Sequence, residues 1–225
     1  MKTANKNNLN AIRNLVIFSF LVFASISCNF VGKPENFDYG RVENDVYLNN
    51  YFDLKIKLPS KWVVLSREQL DALVNRGKQI IAGDDKKKDA LLKVSEINTA
   101  YLLGVFQYEL GSAVESNPNI MIVAENVKLF PGIKSGSDYL YQSKKLLEQT
   151  PVGYDSISKE FVKETIDGTE FYKMNTYLSR GESHFKQIYY STLVKGFSFT
   201  IIISYTTDEQ EQILLKSIKS LSFKK

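Results

Sequence analysis

Turn signals recur at short intervals through the second half of the chain, and they restrict its fold more than any other feature. Segments 157–166, 170–178, 185–194 and 197–205 are rich in β-branched and aromatic residues, and Asp167-Gly168, Arg180-Gly181-Glu182 and Lys195-Gly196 separate them. Both central positions of a type I′ turn need positive φ, so Asp-Gly between two such segments is a strong hairpin signal. The spacing predicts an antiparallel meander. Two further strands precede it. Residues 100–108 are nearly all apolar and aromatic, as in a central strand covered on both faces, and 120–129 read as its neighbour. Earlier still, Phe52, Leu54, Ile56 and Leu58 alternate with Asp53, Lys55 and Lys57 up to Pro59, which is the period of a half-buried strand. Trp62, the only tryptophan, follows closely enough to fold back onto the core.

Three segments carry the helical period instead. Residues 66–82 have Ser66 as an N-cap, Glu68 and Asp71 near the positive end and Leu70, Leu73, Val74 and Ile81 on one face, with Gly83 as a stop. Residues 137–150 are capped by Ser135 or Ser137 and followed by Pro151. Residues 207–221 begin with the Thr207-x-x-Gln210 pattern of a capping box. The charged run Asp84–Asp89 reads as a solvated loop or helix start. Helices before, within and after a run of strands must cover the sheet, so the expected class is α+β: a mostly antiparallel six- to seven-stranded sheet flanked by helices in an α/β/α sandwich.

The N-terminus supplies an address. An apolar run of 13 residues, Leu15 to Ser27, follows Lys2, Lys6 and Arg13 and ends at Cys28, the only cysteine. A bilayer-spanning helix needs roughly 18–20 apolar residues, so an export signal is the better reading than a permanent span. A cysteine at the cleavage point is the attachment site of a bacterial lipoprotein. Ser25-Ile26-Ser27 also satisfies the small-x-small pattern of ordinary secretion, and Ser25 stands where a lipobox has leucine. Lipidation of Cys28 is preferred because it accounts for an unpaired thiol in an oxidising compartment. The expected organisation is a signal peptide over 1–27, a lipidated tether over 28–46 and a folded domain over 47–225. Without the signal's three basic residues, 26 basic residues face 25 acidic ones, a formal charge near +1 in place of +4. No basic face is left to suggest a nucleic-acid partner.

The opening Tyr51-Phe52-Asp53-Leu54-Lys55-Ile56-Lys57-Leu58-Pro59-Ser60-Lys61-Trp62 resembles the strand, Pro, two residues, Trp start of the PsbP and Mog-type α/β/α sandwich superfamily. The ending is similar too, from Tyr205-Thr206-Thr207-Asp208-Glu209 into a helix closing on Ser220-Leu221-Ser222-Phe223. The resemblance implies a PsbP-like binding fold whose members include extrinsic photosystem subunits and exported bacterial lipoproteins. It implies partners rather than one chemistry.

Few residues suggest catalysis. His184 is the only histidine, so any metal site or Ser-His-Asp arrangement would have to use it, and its place at a turn-to-strand boundary reads as surface or capping. The carboxylate pairs Asp84/Asp85, Glu160/Glu164 and Asp208/Glu209 are those that any acid-rich chain contains, and the last serves a helix N-terminus. No phosphate-binding or dinucleotide-binding glycine pattern occurs. The expectation is therefore a non-enzymatic, lipid-anchored lipoprotein without a cofactor, a protein-binding or assembly module at the cell envelope, periplasmic or extracellular. The alternative is a carrier of a small or lipidic ligand in a groove between sheet and helix. Among the meander's aromatics, Tyr172, Tyr177 and Tyr190 are the candidates to face a partner, since a phenol tolerates a wet edge.

Overall fold

Asp167 and Gly168 have φ of 48° and 76°, and Lys195 and Gly196 of 52° and 81°, so both two-residue turns take the left-handed pair that a tight hairpin requires. In the computed structural model, which describes residues 32–82, 97–150 and 152–224, these turns join β8 (Val162–Ile166) to β9 (Thr169–Arg180) and β10 (Ser183–Val194) to β11 (Phe197–Tyr205). With β4 (Val63–Val64), β5 (Thr99–Phe106) and β6 (Asn119–Asn126) they form a sheet in the order β4-β5-β6-β11-β10-β9. Beyond β9 the far edge is made by β8 and β7 (Ser156–Ile157), both of which pair with β9. A second sheet, in the order β1-β2-β3-β12, is built from β1 (Arg41–Glu43), β2 (Val46–Asn49), β3 (Leu54–Lys57) and β12 (Ser222–Phe223). Every pairing is antiparallel. The α+β class is as expected, but twelve strands are described where six or seven were anticipated. Segment 157–166 divides into β7 and β8, and strands of two to four residues, such as β1, β4, β7 and β12, are too short to show an alternation of their own.

Three helices are capped by the side chains that the sequence places there. At α1 (Arg67–Ala82), Ser66 Oγ accepts from Gln69 N while Gln69 Oε1 accepts from Ser66 N. At α2 (Gly136–Glu148), Ser135 accepts from Asp138 N, and at α3 (Asp208–Lys219) Thr207 and Gln210 complete a reciprocal capping box. One face of the large sheet packs against the small sheet and α3, burying Phe52, Ile56, Ile122, Phe199, Ile201 and Leu214 in the main core. The opposite face is covered by α1 around Leu65, Leu70 and Phe106, and by α2 around Leu140, Met174 and Tyr189. Each such side chain, fully removed from water, contributes about 1.5–3 kcal/mol before entropy is counted. Trp62 is half-buried against the main core.

The fold begins earlier than expected. Residues from Lys33 onward belong to one compact unit, so the stretch 33–46, read above as tether, is largely structural. Phe37 inserts between Tyr39, Tyr51, Phe52 and Phe197 with ring centroids 4.7–5.8 Å away. Asp38 accepts from the backbone N–H of Gly40 and of Asn50, each at 2.7 Å. Isolated aromatic insertions and side-chain-to-backbone bonds leave no periodicity to read. The signal segment and Cys28 lie outside the described residues, as do Gly83 and the run Asp84–Asp89.

Candidate functional site

The three tyrosines expected to face a partner do not share a surface. Tyr190 is 1% exposed: it stands opposite Lys173 in the middle of the sheet and points into the main core, where burial pushes its phenol pKa up. It is not a partner-facing residue. Tyr172 is on the other face of β9, half-buried against the α2 cluster, with its hydroxyl donating to Glu170 at 2.8 Å. Tyr177, five positions along the same strand and hence on the opposite face, is 46% exposed. Tyr177 is exposed and the Tyr172 hydroxyl sits at a wet edge, so of the three only Tyr190 is displaced from the expected placement.

A different site is built where β5 meets α1. β4 pairs only with Val105 and Phe106, and the β5–β6 register shifts between Tyr101 and Leu103, so the first half of β5 lies beyond the reach of β4. An unpaired strand edge invites chance pairing, and cations laid across it are a common protection. Here Lys33 Nζ donates to Thr99 O at 2.9 Å and Arg67 Nη1 to Tyr101 O at 2.6 Å. Between this edge and the helix runs a groove of about 520 Å³, lined by Lys33, Tyr39, Arg67, Asp71, Lys78 and Tyr101 among others. The Arg67 guanidinium sits 4.3 Å above the Tyr39 ring and Lys78 Nζ 5.5 Å above that of Tyr101, so two cations are held over aromatic faces. A second hollow of about 320 Å³ shares Arg67 and extends along Arg41, Tyr47 and Val64.

The first element of this groove depends on Tyr47. Its hydroxyl donates to Tyr39 O at 2.8 Å and accepts from Asn49 Nδ2 at 3.0 Å, which fixes the backbone that carries Tyr39. Burial raises the Tyr47 pKa, so the phenol stays a donor across the physiological range. Among the described lining residues, Lys33, Arg67 and Lys78 stand with the single acid Asp71, and Tyr39 and Tyr101 add aromatic surface. Sequence reasoning missed the groove because Lys33 and Tyr39 lie in the segment read as tether. Arg67, Asp71, Asn75 and Lys78, spaced to share one face of α1, were the legible part of the signal.

Acid and histidine positions resolve individually. His184 is exposed, and its Nδ1 lies 3.1 Å from Ser179 Oγ, its register partner across the β9–β10 hairpin. Asp155 is nearby, but its carboxylate accepts from Ser179 N rather than from the imidazole, so the residue types of a triad occur without its connectivity. Asp208 is 3.3 Å from Lys186 at the start of α3, and Glu164 is 3.7 Å from Lys173. Glu125 is the acid held against burial: desolvation raises its pKa, and Tyr139 Oη donates to it at 2.8 Å. Among the described residues, no three His, Cys, Asp or Glu side chains are grouped to hold a metal ion. No described helix is long and apolar enough to cross a membrane.

No family model and no curated protein matches the chain. Among solved structures it is similar to a cyanobacterial PsbP from Synechocystis sp. PCC 6803, with 13% identity and a TM-score of 0.47 over 80% of this chain and 91% of that one. It is also similar to LpqN, described as involved in cell envelope biogenesis of Mycobacterium tuberculosis, with 11% identity and a TM-score of 0.32 over 56% and 78%. A third similar structure is a protein of Bacteroides thetaiotaomicron, with 8% identity and a TM-score of 0.43 over 82% of this chain; the chain spans half the length of that protein. A PsbP is thus among the structures that the chain is similar to, as the resemblance of its two ends implies.

Proposed function

We propose that this chain is a non-enzymatic lipoprotein, held at the cell envelope through Cys28, that binds a partner protein in the groove between α1 and β5. The observation that carries this reading is the composition of the groove: Lys33, Arg67 and Lys78 against Asp71, over Tyr39 and Tyr101. An open cleft with fixed cations and aromatic floors suits contact with an acidic protein surface, because opposite charge steers encounter and aromatic residues anchor it. The carrier reading draws support from the volume, about 520 Å³, which falls in the range of small-ligand sites. The charged lining favours the protein partner over a lipid tail.

The test is crosslinking in cells from a photoreactive side chain introduced at Asn75, which lines the groove without joining its cation–π pairs. A specific envelope protein should be captured, and Arg67→Glu with Lys78→Glu should lower the yield at least about tenfold, as expected for loss of complementary charge at an interface. Capture that survives the charge reversal, or recovery of no specific protein, would sink the groove reading.

A further inference from the structure

The loop between β6 and α2 carries two large apolar side chains in water. Leu129 is 52% exposed and Phe130 45% exposed, side by side at the tip. The backbone holds them there through two consecutive turns, Phe130 N donating to Val127 O and Ile133 N to Phe130 O, each at 2.9 Å. Pro131 sits at the second position of the second turn, where its fixed φ suits the bend. Both ends are tied down as well. Val127 N bonds to Gly196 O and Lys128 N to Asn126 Oδ1, while Lys134 N bonds to Asp138 Oδ2 at the cap of α2. A loose loop would fold Leu129 and Phe130 back onto the surface; this one keeps them out.

Within the loop itself the charges are of one sign. Lys128 and Lys134 flank its tip, both exposed, and no acid occurs between Val127 and Ser137. Among the described acids, Asp138 accepts from the backbone of Lys134, Glu125 from Tyr139, and Asp53 pairs with Lys195. Apolar side chains projecting from a cationic collar match the interface of a bilayer that carries anionic headgroups.

We propose that the Lys128–Lys134 loop is a membrane-contact site, with Leu129 and Phe130 entering the interface of an anionic bilayer and Lys128 and Lys134 pairing with its headgroups. The loop is a second point of attachment. It sets the orientation of the domain, which a single tether leaves free. The reading stands apart from the groove, and only the loop's rank as a second attachment rests on the anchor at Cys28.

The test places an indole at the tip by Phe130→Trp in the full chain, reconstituted into phosphatidylcholine vesicles containing phosphatidylglycerol and acyl-brominated lipid. Trp62 of the unchanged chain supplies the background. Insertion should shift the introduced indole's emission to shorter wavelength, with quenching at least about twofold stronger than the background, given burial to the headgroup and acyl boundary. Adding Leu129→Asp should return quenching to background while the melting temperature holds. Quenching at the Trp62 level in the Phe130→Trp chain overturns the proposal, as does quenching that survives Leu129→Asp. Equal quenching in vesicles without phosphatidylglycerol overturns the assignment of an anionic surface. The readout follows the loop itself and is indifferent to partner binding in the groove.

Discussion

Replacing Gly40 with alanine tests whether the residues before 47 are tether or fold. Gly40 has φ of +79°, a region that costs an L-residue about 1–2 kcal/mol. Its added Cβ would lie 2.5 Å from Cζ of Tyr47, a side chain only 1% exposed and therefore without room to swing away freely. Moving that ring disturbs two hydrogen bonds, to Tyr39 O and from Asn49, each with a net worth of about 1 kcal/mol. The sum is a loss of about 3–4 kcal/mol, a large fraction of a typical domain's 5–15. Gly111→Ala separates strain from overlap, because Gly111 has φ of +87° but nothing within 4 Å of the added carbon; it should cost only the strain, about 1–2 kcal/mol. Urea unfolding followed by Trp62 fluorescence measures both, with the slope of free energy against urea checking that the denatured state is unchanged. Were Gly40→Ala to cost no more than Gly111→Ala, the packing of Tyr39 and Tyr47 would contribute nothing, and the stretch to 46 would behave as the tether that its composition suggests.

Two further outcomes follow from packing and burial. Gly136→Ala, which on an exposed helix would stabilise by up to about 1 kcal/mol, should instead destabilise by about 1–3, because the new carbon would lie 2.6 Å from the Ser191 carbonyl carbon; a net gain in thermal stability would refute the flush packing of α2 on β10. Burial raises the Glu125 pKa, so the native state holds that proton more tightly than the unfolded chain, and the stability it confers is complete below the ordinary glutamate value and is lost as pH rises through the raised one. Glu125→Gln should therefore gain stability relative to the parent as pH rises from the acid range to neutrality; parallel stability curves across that range would refute it.

What could be read along the chain was whatever depends on neighbours in sequence. Capping boxes, the alternation from Phe52 to Leu58 and the positive-φ turns Asp167-Gly168 and Lys195-Gly196 are set within a few residues, and the structure has them where the residues place them. Facing is different. That Tyr172 and Tyr177 lie on opposite faces of β9 follows from their odd separation alone, but which face meets the core depends on the strand's partners: Phe171 joins the main core and Met174 the α2 cluster. Tyr190 was misplaced for the same reason, since a phenol is compatible with a wet edge only when the register puts it at one, and opposite Lys173 it is deep in the sheet. The groove needed more still. Its cations come from Lys33, Arg67 and Lys78, brought together because β4 stops after two residues and leaves the first half of β5 for side chains to cover. The length of β4 is thus what leaves a groove there. A β4 extended along Thr99–Leu103 would satisfy that edge with backbone and displace the cations, so the protection of the strand edge and the proposed contact with an acidic partner both depend on the Lys33 and Arg67 side chains.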